Sequence, residues 1–186
     1  MKPSPIRSLS PWFAVALMAA APAAAAVDRV DVEKSRVTAT FRQMNVPVEG
    51  RFTSFRGTIR FDPRNAAAAS ARIEIDTASF DLGAPEYNDE LHKPEWFDTL
   101  HHPKATFESS SVVALGPDRF EARGKLTLKD KTRDVQIPFT QRSEAGARVY
   151  EGELPISRKA YSIGSAEWDD TLEDQVIVKF RIITTR

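Results

Sequence analysis

FEARGKLTLK, residues 120–129, alternates apolar or small side chains with polar ones at every step. Phe120, Ala122, Gly124, Leu126 and Leu128 share one face, and Glu121, Arg123, Lys125, Thr127 and Lys129 share the other. A period of two is that of a β-strand with one buried face. The same reading holds upstream for Val37/Ala39/Phe41, Phe55/Gly57/Ile59/Phe61, Ala71/Ile73/Ile75 and Ala105/Phe107. Downstream it holds for Val135/Ile137/Phe139, Tyr150/Gly152/Leu154/Ile156 and Val176/Val178/Phe180/Ile182. Eight strands result. Phe52 falls out of parity with Phe55, which places a bulge or bend near Thr53-Ser54.

Turn residues separate the strands: Asp62-Pro63-Arg64-Asn65, Gly116-Pro117-Asp118, Lys129-Asp130-Lys131 and Glu144-Ala145-Gly146. Several are short enough for hairpins between antiparallel neighbours. One connection is long, from about Leu82 to Lys104. Pro85, Pro94 and Pro103 favour short helical turns there over another strand, and PEYNDELHK and PEWFDT each begin with a proline suited to a first helical position. The segment is expected to pack across one side or end of the fold, with Phe97 directed inward and Trp96 partly shielding it. A segment this long without a strand of its own is more often functional than accidental.

Eight such strands make a sandwich or close into a barrel, and closure removes the exposed edges. Small inward positions (Ala39, Gly57, Ala71, Ala105, Ala122, Gly124, Gly152) alternate with phenylalanines. That alternation is equally compatible with an elongated apolar space and with an interdigitated, dry core.

The first 26 residues, with Lys2 and Arg7 before an apolar run and Ala24-Ala25-Ala26 at the end, have the pattern of a cleavable signal peptide. Residues 27–186 then form one domain of 160 residues. Removing Lys2 and Arg7 from 26 basic and 26 acidic residues leaves a formal charge of −2, which argues against a nucleic-acid binder. The absence of cysteine means that the core must hold the fold without disulfides.

Two constellations carry polar chemistry. His101 and His102 are adjacent and followed by Pro103, with no H-x-x-x-H or cysteine partner, so structural turn histidines are expected and no metal site. AEWDDTLED, residues 166–174, crowds five carboxylates but lacks the glycine of a calcium loop. It reads as a solvated acidic loop; a hydrolytic pair drawn from Glu167, Asp169 and Asp170 is the weaker alternative. Ser157 and Ser162 have no base in view, and no phosphate or dinucleotide fingerprint occurs. No catalytic residue is assigned.

The order of motifs adds a resemblance. VPVEGRFTSFRGTIRFDP (46–63), ARIEIDTASFDLG (71–83), NDELHKPEWFDTLHHPKATFESSSV (88–112), GKLTLKDKTRDVQIPF (124–139) and ISRKAYSIGSAEW (156–168) closely resemble the successive blocks of the YceI-like family. Gly50, Phe52, Phe55, Gly57 and Phe61 match one block; Trp96-Phe97-Asp98, with Pro103, Thr106 and Phe107, match another; Arg158, Tyr161, Ile163 and Gly164 match a third. Lys34-Ser35 and Gln43-Met44-Asn45 depart from it where many relatives carry histidine.

The resemblance implies an exported, periplasmic protein with a lipocalin-like, eight-stranded antiparallel barrel that binds a long-chain isoprenoid lipid, of polyprenol or isoprenoid quinone type, or a similar amphiphile. No enzymatic activity is implied, and no cofactor beyond such a bound lipid or quinone. The expected apolar binding wall comprises Phe41; Phe52, Phe55, Ile59 and Phe61; Ile73 and Ile75; Phe97 and Phe107; Phe120, Leu126 and Leu128; Ile137 and Phe139; Tyr161, Ile163 and Trp168; and Val178 and Phe180. The alternative is a barrel filled by its own side chains, acting as an interaction module on a membrane b-type cytochrome or other envelope partner. Transient membrane or membrane-protein contact and a homodimer are left open as partnerships.

Overall fold

The computed structural model describes residues 27–185. The expected signal peptide and its cleavage site lie outside the described residues. Eleven strand segments form one antiparallel sheet: β1 (Val27–Val30), β2 (Arg36–Gln43), β3 (Val46–Phe52), β4 (Phe55–Arg60), β5 (Ser70–Asp76), β6 (Phe80–Asp81), β7 (Lys104–Ala114), β8 (Arg119–Leu128), β9 (Lys131–Glu144), β10 (Ala147–Ser157) and β11 (Gln175–Thr185). They make eight strands, because three are interrupted. β1 and β2 lie along the same side of β11, through Thr184–Thr185 and Ile177–Arg181 respectively. β3 and β4 are separated by Thr53-Ser54, where the parity of the phenylalanines placed a bend. β5 and β6 are separated by a 3-10 turn, Thr77–Ser79, whose start is capped by Asp76 Oδ1 accepting from the Ala78 N–H at 3.0 Å.

The ring runs β1/β2, β3/β4, β5/β6, β7, β8, β9, β10, β11 and back to β1. It is a closed, all-β, eight-stranded antiparallel barrel. The expected runs on β2, β4, β5 and β7 to β11 are all strands; β1 (Val27–Val30) and β6 (Phe80–Asp81) are too short to be read alone, and β3 (Val46–Phe52) was not among the expected runs.

Side chains of β8 show why the ring closes as it does. Phe120, Ala122, Gly124 and Leu128 are buried inside, while Arg123 and Lys125 stand exposed outside. A barrel that spans a lipid bilayer has an apolar outer band; this one carries its apolar face within. The hairpins β2–β3 and β9–β10 turn through Met44-Asn45 and Ala145-Gly146, all four at positive φ, the mirror-image turn whose twist suits a two-residue connection.

Two inward glycines are places where a ring crosses the backbone. A Cβ on Gly152 would meet the Phe180 ring and the Pro138 carbonyl, and one on Gly124 would meet the Glu108 carbonyl, the Phe107 ring and the Ser109 backbone. Gly124→Ala should therefore lower stability by about 1–3 kcal/mol, through overpacking against fixed backbone. Urea unfolding checks it; a loss below about 0.5 kcal/mol would mean that β7 and β8 shift apart at little cost.

Beyond the Asp76–Lys104 pair, β6 stays with β3 while β7 ends, and the long connection occupies the gap between them. Its helix α1 (Pro85–Leu91) begins on Pro85, as the sequence suggests. Asn88 ties it to β6: its Oδ1 accepts from the Leu82 N–H at 2.8 Å and its Nδ2 donates to Asp81 Oδ1 at 3.1 Å. PEWFDT forms turns and not a helix. Trp96 accordingly donates its N–H to the Lys93 carbonyl and Phe97 to the Leu91 carbonyl, both within the connection.

Candidate ligand cavity

The barrel encloses a cavity of about 630 Å³, within the usual range for a small-molecule site, and its wall is almost wholly apolar. All but Phe55, Phe120 and Tyr161 of the nineteen expected wall residues lie on it. Those on the wall are Phe41, Phe52, Ile59, Phe61, Ile73, Ile75, Phe97, Phe107, Leu126, Leu128, Ile137, Phe139, Ile163, Trp168, Val178 and Phe180. The three others are buried in the core but lie off that wall. Phe120 is screened by Phe61, edge-on at 4.9 Å, and by Phe139, stacked at 5.5 Å. Phe55 begins β4 directly after the bend and packs into the buried core. Tyr161 lies in a 3-10 turn after β10, buried beneath the Arg133 guanidinium at 5.9 Å, and burial pushes its phenol pKa up.

Two aromatic groups frame the space. At one level Phe61 contacts Phe120 and Tyr150; at the other Phe52, Phe80 and Phe97 form a triangle with centroids 4.7–6.2 Å apart. Phe97 is buried and points inward, with Trp96 also on the wall. Phe80, Leu82 and Leu91 belong to the same wall and were missed by the alternation, since they follow the 3-10 break or sit on α1. The apolar residue at the start of a proline-bounded helix-and-turn segment was the available signal for them.

His101 and His102 do not reach the cavity wall. Both face Asp98, with His101 Nδ1 at 2.8 Å and His102 Nε2 at 3.8 Å from its carboxylate oxygens. The His102 carbonyl accepts from Thr77 Oγ1 at 2.8 Å, and the Pro103 carbonyl from the Thr77 N–H at 3.0 Å, which stitches the connection to the β5/β6 break.

The acidic stretch 166–174 is more than a solvated loop. Arg158 is 2% exposed, and its guanidinium donates to the carbonyls of Glu173, Ile163 and Leu172 and to Asp169 Oδ1. Its Nη2–Asp169 bond is 2.8 Å. Hydrogen bonds from Lys159 first, and then from Arg158, hold the Asp169 carboxyl below its ordinary value of 3.8. Such a carboxylate is committed to two cations and is poorly suited to donate a proton in hydrolysis. Its contribution to stability is complete above the ordinary carboxylate pKa and is lost as pH falls through the lower folded value. The Asp169→Asn variant should accordingly lose less stability than the parent between about pH 5 and pH 2. Parallel acid limbs in urea titrations of the two proteins would contradict this.

A closed antiparallel barrel wrapped around an apolar cavity, with a helix-and-turn segment across one gap in its wall, is a lipocalin-like calyx. The YceI-like domain model matches residues 29–184, and the chain belongs to the YceI-like family. Its relatives include Protein YceI of Escherichia coli O157:H7, 33% identical over 128 residues that span 67% of this chain and 66% of that protein. The UPF0312 protein VC_A0539 of Vibrio cholerae is 33% identical over 48% of each chain. This chain thus matches between about half and two thirds of the length of these curated relatives. Among solved structures, BcnA of Burkholderia cenocepacia is 42% identical with a TM-score of 0.81, covering 84% of this chain and 99% of that one. A polyisoprenoid binding domain from Saccharophagus degradans is 18% identical with a TM-score of 0.70, covering 86% of this chain and 98% of that one, a likeness of fold.

Proposed function

We propose that the protein is a periplasmic carrier that sequesters a long-chain isoprenoid lipid, of polyprenol or isoprenoid quinone type, or a similar amphiphile, in the barrel cavity, and that it binds without catalysing a reaction. The observation that carries this reading is the apolar cavity of about 630 Å³. Burying a CH₂ group stabilises by about 0.8 kcal/mol, so ten to fifteen enclosed carbons contribute on the order of 10 kcal/mol before ordering costs. A filled barrel acting only through its surface is disfavoured by the same cavity. The leader-like residues 1–26 support export, and the polyisoprenoid binding domain of the same fold supports the ligand class.

Access is proposed at the end where Gln43, Val48 and Tyr87 meet the cavity. Met44 and Val46 beside them are 75% and 60% exposed, and Tyr87 62%. An apolar rim of this kind suits transient contact with a membrane surface during loading. Native mass spectrometry after gentle purification should show a lipid adduct, and the delipidated protein should take up an added prenyl quinone. Protein that is consistently ligand-free and also refuses the quinone overturns the reading.

A further inference from the structure

The two halves of the long connection are held in different ways. Its second half is clamped from three directions. Lys129 Nζ donates to the Pro94 carbonyl at 2.8 Å and to the Ser162 carbonyl at 2.9 Å, the Gly164 N–H donates to the Glu95 carbonyl at 2.7 Å, and Thr77 holds the carbonyls of His102 and Pro103. Trp96 and Phe97 are buried in this half. In the first half, α1 buries no side chain. Among the described residues, Gly83 to Asp89 make no hydrogen bond or ion pair to anything outside residues 81–92. One latch holds the start of α1: Asp81 Oδ1 accepts from the Gly83 N–H at 2.8 Å and from Asn88 Nδ2 at 3.1 Å, and Asn88 Oδ1 accepts from the Leu82 N–H at 2.8 Å. The far end of α1 is fixed. There the Leu91 carbonyl accepts from the Phe97 N–H at 3.0 Å, the His92 carbonyl from the Thr99 N–H at 3.1 Å, and His92 Nε2 lies 3.2 Å from the Ala78 carbonyl oxygen. Gly83 stands at φ +85°, and a Cβ on it would meet nothing within 4 Å, so the backbone turn and not packing calls for glycine.

Across the gap from α1 stands an unpaired edge. β3 pairs with β2 along its whole length but with β6 only at Arg51 and Phe52, so from Val46 to Gly50 its other side has no strand partner. Val48 on that edge and Tyr87, Glu90 and Leu91 on α1 line the same cavity. We propose that α1 is a lid: when the Asp81–Asn88 latch releases, it swings about its fixed C-terminal end and opens a lateral portal beside the free edge of β3, through which the ligand's apolar chain enters and leaves. This rests on the carrier reading above and specifies how its cavity is gated. A lateral opening lets a long chain slide in along its length, where a fixed mouth would oblige it to thread end-on. The energetics select this half of the connection. Swinging α1 breaks three latch bonds and bares Leu91 and a Tyr87 that is already 62% exposed, whereas releasing the second half would bare Trp96 and Phe97, which are 7% and 8% exposed. A chain lying in the cavity touches Tyr87 and Leu91 only while α1 is down, so the ligand itself favours the closed lid.

Hydrogen exchange on the ligand-free parent chain reads the lid directly. After correction for intrinsic rates, the amides of Leu82, Tyr87 and Asn88 should exchange about tenfold or more faster than those of Trp96 and Phe97, through a local opening. Equal protection of the two halves overturns the proposal, whether or not any ligand binds. Stopped-flow mixing of delipidated protein with a prenyl benzoquinone, read by quenching of Trp96 and Trp168 fluorescence, then gives the rates of uptake and release. Asn88→Ala removes two of the latch bonds and should raise both rates together by about three- to tenfold, with the dissociation constant changed by less than about twofold, since a gate acts on both directions alike. Lys129→Met, which unclamps the second half, should lower the melting temperature and leave the rates within about twofold of the parent. Unchanged rates in Asn88→Ala, or a weakened affinity with unchanged uptake, would make Asn88 a structural residue only and overturn the proposal. A Lys129→Met variant accelerated as much as Asn88→Ala overturns it too, because the portal would then lie on the clamped side. If the parent takes up no prenyl quinone, the carrier reading fails, while the exchange of α1 still decides the lid by itself.

Discussion

Arg158→Met should destabilise the protein by about 3–5 kcal/mol, because it leaves three inward carbonyls without a donor at about 1–3 kcal/mol each, while Asp169, itself exposed, stays solvated. The side chain is 2% exposed and its bonds reach Ile163, Asp169, Leu172 and Glu173, so four points of the loop between β10 and β11 converge on one guanidinium. Methionine fills much of the volume but leaves three inward carbonyls without donors. Arg158→Lys should recover less than half of the loss, because one ammonium on a flexible stem cannot reproduce the planar fork. Because Ile163, Trp168 and Leu172 on this loop also face the cavity, the methionine variant should weaken ligand uptake as well as stability. Urea unfolding monitored by circular dichroism reads the first effect. A loss under about 1 kcal/mol would show that the loop is held by its other contacts.

Phe97→Ala is the second large effect. Truncating a buried phenylalanine costs about 3–5 kcal/mol when the surroundings cannot collapse, and Phe97 is braced by Phe52 and Phe80. The ring also forms part of the cavity wall, so the variant should weaken binding of a prenyl ligand by about 1–3 kcal/mol in addition. Melting with and without prenyl quinone separates the two roles. A reduced ligand-induced shift identifies a wall residue; an undiminished shift means that Phe97 only plugs the gap between β6 and β7.

The barrel was legible because its longest strands carry an unbroken period of two. β8 from Phe120 to Leu128 has one inward face and one charged face, and its partner β9 continues in register from Lys131 to Thr140. The break at Thr53-Ser54 was legible for the same reason, since a shift in parity is visible as Phe52 against Phe55. The breaks at Asp31–Ser35 and Thr77–Ser79 were not, because they flank segments of four residues and two. Whether the interior is hollow could not be read. Gly124 and Gly152 are covered by the Phe107 and Phe180 rings, and the same alternation of small and large residues would serve a filled barrel. The burial of Arg158 was also beyond reach, since its acceptors are mostly backbone carbonyls, which every sequence has, brought round by a loop.

The pairing of β1 with β11 also bears on how the chain folds. Arg29 and Val30 meet Thr185 and Thr184, whereas the hairpins β2–β3, β8–β9 and β9–β10 join immediate neighbours. Local hairpins can form early, but the contact that completes the ring closes a loop of nearly the whole described chain, and topologies rich in distant pairings fold slowly. Until that step the sheet is an open curl, with unpaired backbone on β11 and the apolar inner face exposed together. This is the interval in which refolding competes with aggregation. Refolding yield should therefore fall as protein concentration rises, and a chain shortened before Gln175 should remain in the vulnerable state.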